Sequence, residues 1–524
     1  MSSFLIKNVI IVDGADGKPF SGAVLVRDGV IASVDPSGAT PVAAVGKRHV
    51  VDGGGLTLCP GFIDAHSHSD LSLLVEPDAF GKLSQGITTE VNGNCGLSPF
   101  PVTRVNRDHL EELYANYNVP LSWSSFAEYA AVMDGCRPGG NVVPLCGHNT
   151  LRAAVCGYGR TEITAEKLIA MQTLLHECLS AGAGGFSSGL LYIPGKFAAP
   201  DELVALLRTL RGFGRPYTTH LRSEGPRLLE SLEEAIACST AAGIPRLHIS
   251  HLKTSGKANW HKLDAAIGMI DKARQSGLEI TADRYPYTES MTQLSVILPP
   301  PYDDMDDISL ARLLRDKTEQ EKLLAALETL DPERWDTTRL VNTATTTYQE
   351  FLGLTINGIA ARLALPPTRV CAEILTGDAA GTMAAFRGMN ADNLERILRL
   401  PYVVCGTDET ARPKDYRLGR SHPRGFGSFP EFYRQLGATM DIGAVIHKMT
   451  LLPATIFGLS GRGRIAPGHA ADLVLFDPEN FVGGADYGEP HIPADGVSRV
   501  FVNGIEAFAD GRVITRAGRV LLQS

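Results

Sequence analysis

His66 and His68, in the run Leu58-Cys-Pro-Gly-Phe-Ile-Asp-Ala-His-Ser-His-Ser-Asp70, are the first residues of this chain whose types and spacing point to chemistry. An apolar segment ends at Ile63, and two imidazoles follow it one residue apart. Residues i and i+2 of an extended backbone point the same way, so both rings face one point just past a strand. Imidazole is the commonest metal ligand. Further donors stand in comparable places. Cys95 lies in Gly86-Ile-Thr-Thr-Glu-Val-Asn-Gly-Asn-Cys-Gly96, and His220 closes Pro216-Tyr-Thr-Thr-His220. His251 closes Leu247-His-Ile-Ser-His251, and Asp408 closes Val403-Val-Cys-Gly-Thr-Asp408. Imidazole, thiolate and carboxylate together suit zinc. Each has a plainer explanation alone: a satisfied core histidine, an inert buried thiol, or a helix cap at Asp408. Six such donors at six matching positions are better explained by one site. His248 competes with His251, but residues three apart on a strand face opposite ways. His251 is nearer the strand end and is the expected ligand; His248 is read as structural.

The elements that must carry these donors alternate. Candidate strands end at His66, near Glu90, at His148, near Gly189, at His220, at His251, near Tyr285 and at Asp408. Helical patterns lie between most of them, including 164–181, 226–242 and 260–276. Eight strands alternating with helices over about 390 residues describe an α/β fold, a (β/α)8 TIM-like barrel. In such a barrel the strand carboxyl ends converge on one face, where catalysis is found. The ends of the chain differ from the middle. Residues 4–13 and 23–34 are apolar and β-branched, with Asp28-Gly29 inside the second run, and the tail holds Ala471-Asp-Leu-Val-Leu-Phe476 and Asn503-Gly504. Asp-Gly and Asn-Gly between such runs signal hairpins. The expected domains are a discontinuous β-sandwich from residues 1–58 and 461–524 around a catalytic barrel at 59–460. An insertion at about 292–342, containing Ile297-Leu-Pro-Pro-Pro301, follows strand seven on the active-site side, as a lid, a small subdomain or a plain surface excursion.

Composition sets limits. A net charge of −9 argues against nucleic acid or an anionic membrane as partner. No apolar run approaches the ~18 residues of a spanning helix. The opening Met1-Ser-Ser-Phe-Leu-Ile-Lys-Asn8 lacks a basic segment followed by a signal-like apolar core. Nine scattered cysteines read as reduced thiols rather than a disulfide framework. A soluble, cytoplasmic protein is expected; oligomeric state is not legible.

The strings, taken together, resemble the D-aminoacylase (N-acyl-D-amino-acid deacylase) family of the amidohydrolase superfamily. The carrying segments are Pro60-Gly-Phe-Ile-Asp-Ala-His-Ser-His-Ser-Asp70, Gly86-Ile-Thr-Thr, Asn94-Cys-Gly-Leu-Ser98, Gly147-His-Asn-Thr-Leu-Arg152 and Gly185-Phe-Ser-Ser-Gly-Leu-Leu-Tyr-Ile-Pro-Gly195. They continue through His220-Leu-Arg-Ser-Glu-Gly225, Ile249-Ser-His-Leu-Lys253, Asp283-Arg-Tyr-Pro-Tyr287, His422-Pro-Arg424 and Ile465-Ala-Pro-Gly-His-Ala-Ala-Asp472. The His-x-His and the tail motif alone give only the superfamily; Asn-Cys-Gly, Ser-His-Leu-Lys and His-Pro-Arg narrow it.

The resemblance implies zinc-dependent hydrolysis of N-acyl-D-amino acids, with one tight ion on Cys95, His220 and His251 and a weaker position at His66, His68 and Asp408. Many superfamily members bridge two metals with a carboxylated lysine; residues 86–96 hold no lysine, and Cys95 stands as its substitute. Asp408 would act as general base and Tyr192 as oxyanion donor, unless Tyr192 merely packs at the rim. Lys253 and Arg424 match the family's carboxylate-binding positions, and Tyr285 and Ser290 their partners, with Tyr287 an alternative phase to Tyr285. The run Met291-Thr-Gln-Leu-Ser-Val-Ile-Leu298 carries no cation, which favours apolar or neutral substrate side chains. The rivals are a cyclic-amide hydrolase, a deaminase or a dipeptidase on the same fold, and an inactive scaffold, which would be expected to lose ligands.

Overall fold

The computed structural model describes residues 3–38 and 49–523. The two ends of the chain share one nine-stranded sheet. Ser3–Ile11 pairs antiparallel with Phe20–Arg27, which pairs with Val30–Asp35 through a two-residue turn, Asp28 at φ 53° and Gly29 at φ 83°. Two positive φ values make the hairpin turn whose twist matches its strands, and only a few residue types accept them. Asn503 (φ 51°) and Gly504 (φ 75°) repeat it between Val497–Val502 and Ile505–Ala509. Thr57–Pro60 joins the halves, running parallel to Ser3–Ile11 and antiparallel to Leu473–Phe476. The sheet folds over itself, stacking Phe4 on Phe501 with ring centroids 5.0 Å apart over Ile6, Val24 and Leu473. The sequence boundary at residue 58 falls inside the joining strand, which continues to Pro60.

The barrel strands are Phe62–Asp64, Ile87–Asn92, Asn141–Pro144 continued by Cys146–Gly147, Phe186–Gly189, Tyr217–His220, Arg246–Ile249, Glu279–Arg284 and Val403–Cys405, paired in parallel. The third changes neighbour midway: Leu145 N–H donates to Asn92 O at 2.8 Å, and Cys146 N–H to Gly185 O at 3.0 Å. The ring closes between first and eighth strands, where Ala65 N–H reaches Cys405 O at 3.2 Å and Asp408 N–H reaches His66 O at 2.8 Å. His148 does not end a strand. It opens the helix His148–Cys156, and its Nε2 lies 2.9 Å from Glu202 Oε1.

Covering helices follow apolar stripes. Ala165–Ser180 buries Met171, Leu175, Cys178 and Leu179, and Thr164 caps it by accepting from Lys167 N–H. Leu228–Ala242 stops at Gly243, whose φ of 68° suits the residue after a helix. In Ile442–Met449, burial pulls the Lys448 ammonium down to a pKa of about 7. The unfolded chain then binds more protons between pH 7 and about 10.5, so stability rises with pH across that window. Lys448→Met is expected to stabilise the protein at pH 7 by on the order of 3 kcal/mol and to flatten that rise, as read by chemical denaturation at pH 7 and 10.

The insertion after strand seven is longer than 292–342. Glu289–Gln293, Met383–Arg387 and Thr338–Asn342 form an antiparallel sheet, with helices including Asp307–Leu313, Lys317–Leu327, Ile356–Leu363 and Pro367–Gly377 around it. Leu294, Trp335, Ile359 and Leu375 belong to its own core. Met383–Arg387 pairs with strands some forty and ninety residues earlier, and no local pattern announces such a partner.

Candidate active site

The six donors converge at the carboxyl ends of the barrel strands. Cys95 Sγ lies 3.3 Å from His66 Nε2, 3.6 Å from His220 Nδ1 and 3.4 Å from His251 Nε2. Asp408 Oδ1 is 3.1 Å from His68 Nε2 and 3.4 Å from His66 Nε2. Two compact sets share the thiol: His66, His68, Cys95 and Asp408, and Cys95, His220 and His251. A tetrahedral zinc with Zn–S ≈ 2.3 Å and Zn–N ≈ 2.0–2.1 Å separates sulfur from nitrogen by about 3.6 Å. The spacings around Cys95 therefore fit such an ion.

The backbone bends to deliver them. Cys95 (φ 53°), His251 (φ 35°) and Asp408 (φ 51°) all occupy left-handed conformations unusual outside glycine. Such strain, about 1–3 kcal/mol per residue, gathers at functional sites. Gly189 gives the Cys95 loop room, because a Cβ there would sit 2.0 Å from Cys95 O.

Charges behind the donors hold them in place. Asp283 Oδ2 lies 3.1 Å from His66 Nδ1 and 3.0 Å from His248 Nε2, while Oδ1 accepts from His251 N–H at 3.0 Å. Burial alone would raise its pKa, but His66 and His248 keep it far below the carboxylate range. A proton on His66 Nδ1 leaves Nε2 free to ligate. Glu224 Oε1 is 2.8 Å from His251 Nδ1 and orients that ring similarly. Beneath them the buried Lys82 ammonium shares its three N–H groups among Asp64 Oδ2 at 2.7 Å, Thr407 Oγ1 at 2.8 Å, Glu409 O at 2.9 Å and Ser67 Oγ at 3.0 Å. It lies 3.6 Å from Glu90 and so ties the first, second and eighth strands together. Asp283 and Glu224 fall inside motifs quoted above but carried no assigned role; their place at or just beyond strand ends was the available signal. Lys82, in the four-residue helix Phe80–Leu83, offered none.

Burial would push the Cys95 thiol up, yet His66 and His251, with hydrogen bonds from His220 and His251, bring it well below its ordinary value, favouring thiolate. Burial opposes charge on His68 and His251, but Asp408 and Cys95, with Glu224 beside His251, raise both to about 9. Asp408 is likewise pulled against its burial to well below the carboxylate range, first by Arg424 and then by His251 and His68.

These donors open on a cavity of about 680 Å³ lined by Tyr192, Lys253, Tyr285, Ser290, Asp408 and Arg424 among others. Lys253 donates to Glu224 and lies 2.8 Å from His251 Nδ1. Arg424 Nη1 is 2.8 Å from Asp408 Oδ2, a charge contact without an aligned hydrogen bond, and its buried Nε has no partner. The Tyr285 hydroxyl is also buried without a partner, and the Arg284 and Arg424 guanidinia lie over its ring at 3.9 and 4.6 Å. Tyr285 lines the cavity, whereas Tyr287 packs edge-on to His422 at 5.4 Å. Tyr192 pairs through its hydroxyl with Thr292 Oγ1 at 3.2 Å, its ring 4.9 Å from His220. The structure thus gathers every residue singled out in sequence, with both expected substrate cations already facing carboxylates.

A (β/α)8 barrel with imidazole, thiolate and carboxylate at its strand ends defines a metal-dependent hydrolase of the amidohydrolase type, and the sequence profile of the Amidohydrolase family matches residues 49–507. The chain is 31% identical to an N-acyl-D-glutamate deacylase of Alcaligenes xylosoxydans xylosoxydans over 98% of its length and 94% of that relative. It is 30% identical to a D-aminoacylase of the same organism, over 99% and 97% of the two chains. The crystal structure of an N-acyl-D-glutamate deacylase from Bordetella bronchiseptica, complexed with zinc and a phosphonate mimic of the tetrahedral intermediate, superimposes with a TM-score of 0.82 at 32% identity, covering 99% of each chain. The chain belongs to the amidohydrolase family, and within it to the D-aminoacylase group.

Proposed function

We propose that this protein hydrolyses N-acyl-D-amino acids to a D-amino acid and a carboxylate. The observation that carries this reading is the pair of unpartnered buried donors, Arg424 Nε and the Tyr285 hydroxyl, beside two zinc-compatible donor sets in one cavity. Buried polar groups without partners are costly, and a substrate carboxylate would satisfy both. Cys95, His220 and His251 would hold the tight ion and His66, His68 and Asp408 a weaker one. Zinc in such a site supplies Lewis acidity, lowering the pKa of water to about 7 and polarising a carbonyl oxygen. Asp408, kept ionised by Arg424 and the histidines, takes a proton at its carboxylate and returns it to the departing nitrogen. Tyr192, whose hydroxyl burial keeps protonated, donates to the carbonyl oxygen as charge develops. Lys253, Arg424, Tyr285 and Ser290 fix the α-carboxylate. The sheet formed by the described residues of the two chain ends serves as scaffold to the barrel.

The segment 291–298 presents Met291, Val296 and Ile297 to the cavity, which supports apolar or neutral side chains. One observation favours an acidic side chain instead: Arg334, in the insertion, lines the cavity with a buried Nε lacking a partner. A panel of N-acetyl-D-Met, D-Leu, D-Phe, D-Glu, D-Asp and L-Met decides. Fastest turnover of D-Met or D-Leu is expected, a strong preference for D-Glu gives Arg334 the deciding role, and inertness toward all D-substrates overturns the reading. Arg424→Ala is expected to lower kcat/KM about 30- to 5,000-fold while zinc content stays unchanged. A cytoplasmic setting belongs to the same reading, supported by nine cysteines that are all free thiols. Among the described residues no helix is long and apolar enough to cross a membrane.

A further inference from the structure

A second cavity, of about 380 Å³, opens beside the first. Leu97, Tyr114, Leu191, Tyr192, Gln293 and Val296 are among the residues that line both, so the two cavities adjoin along them. Beyond them the space is bounded by Leu110, Leu298, Tyr302 and Ile308, each between 2% and 4% exposed. The charged groups on its walls are already occupied. Asp306 accepts from Ser309 N–H at 2.9 Å, and Lys196 lies 3.1 Å from Asp303. Asp307 accepts from Ser295 Oγ, and His109 stacks on Tyr158 at 3.3 Å. Hydrocarbon from Leu97, Leu110, Leu191, Val296, Leu298 and Ile308 makes up about half of what faces the cavity, and polar groups the rest.

Its position relative to the donors gives it a use. The groups offered to the α-carboxylate, Lys253, Tyr285, Ser290 and Arg424, follow the sixth, seventh and eighth strands. The second cavity lies across the donors, against Leu97, Asn149 and Ile193, which follow the second, third and fourth. An amide held over the donors with its carboxylate toward the first group directs its acyl carbon toward the second. We propose that this cavity is an acyl-chain pocket, taking a straight apolar acyl group several carbons longer than acetyl. The inference rests on the deacylase reading and adds which part of the substrate the enzyme measures.

The test is kcat/KM of the full-length, zinc-loaded protein on N-acetyl-, N-butyryl-, N-hexanoyl- and N-octanoyl-D-methionine. Full burial is worth roughly fourfold per methylene, so at least about a tenfold rise from acetyl to hexanoyl is expected. Met305→Trp, at a half-buried site lining only the second cavity, should bring that ratio to within twofold of unity and leave the acetyl substrate unaffected. Ile308→Phe, which also lines only the second cavity, should act the same way. As a binding readout, hexanoate should inhibit the wild type more tightly than acetate, and both equally in the variants. Rates flat or falling with chain length, while the acetyl substrate is cleaved, overturn the pocket. So does a chain-length gain that survives both variants. No hydrolysis at any length instead overturns the deacylase reading itself.

Discussion

Asp408→Asn lowers kcat by about a thousandfold while one zinc per chain is retained: that is the expected result if Asp408 moves the proton. The substitution keeps shape and removes basicity. Asp408 lies at the junction of two roles, with Oδ1 near His68 and His66 and Oδ2 2.8 Å from Arg424. It is absent from the set formed by Cys95, His220 and His251, so the tight ion should persist without its charge. A neutral amide also leaves Arg424 without its counter-charge, and loss of one partner of a buried pair costs about 3–5 kcal/mol. A lower melting temperature is therefore expected along with the rate loss. Steady-state kinetics and elemental analysis on the same preparation separate the two effects. A variant retaining a tenth or more of wild-type kcat would remove the proton-transfer role.

Cys95→Ala is expected to lose both the ion and the activity, with kcat/KM down by at least about a thousandfold. The thiol is the one donor common to both sets, and three imidazoles approach it within 3.6 Å. Without its negative charge the set it forms with His220 and His251 holds no anion to balance a dication. Zinc should raise the melting temperature of the wild type, since a ligand at 1,000 times its Kd adds about 4 kcal/mol of stability. The variant should show no such rise. Stoichiometric zinc in Cys95→Ala, with activity within tenfold of wild type, would displace Cys95 from the centre of the site.

What the sequence disclosed was whatever repeats at short range. The strand ends at His220 and just before His251 follow from β-rich runs that stop, and the turns at Asp28-Gly29 and Asn503-Gly504 from residue pairs that tolerate positive φ. The donors were legible because imidazole and thiol are scarce and stood at matching positions. The Lys82 hub was not, because a lysine in a helix reads as surface until Asp64, Thr407 and Glu409 close around it from distant strands. Nor was the facing of Arg424 and Asp408, sixteen residues apart with a loop between, or the return of Met383–Arg387 to the insertion sheet. These depend on tertiary closure, which no local window contains.

The left-handed backbone at Cys95, His251 and Asp408 bears on transplantation. A designer copying six side chains onto another eight-stranded scaffold would place the right atoms on residues whose main chain prefers a different region, and they would relax away from one another. Host barrels should be screened by torsion angles at the three grafted positions before any side chain is chosen. Directed evolution faces the same constraint: swaps that ease these torsions will surface in stability screens and vanish from activity screens. For this site, the transferable unit is the bent loop together with the atom it carries.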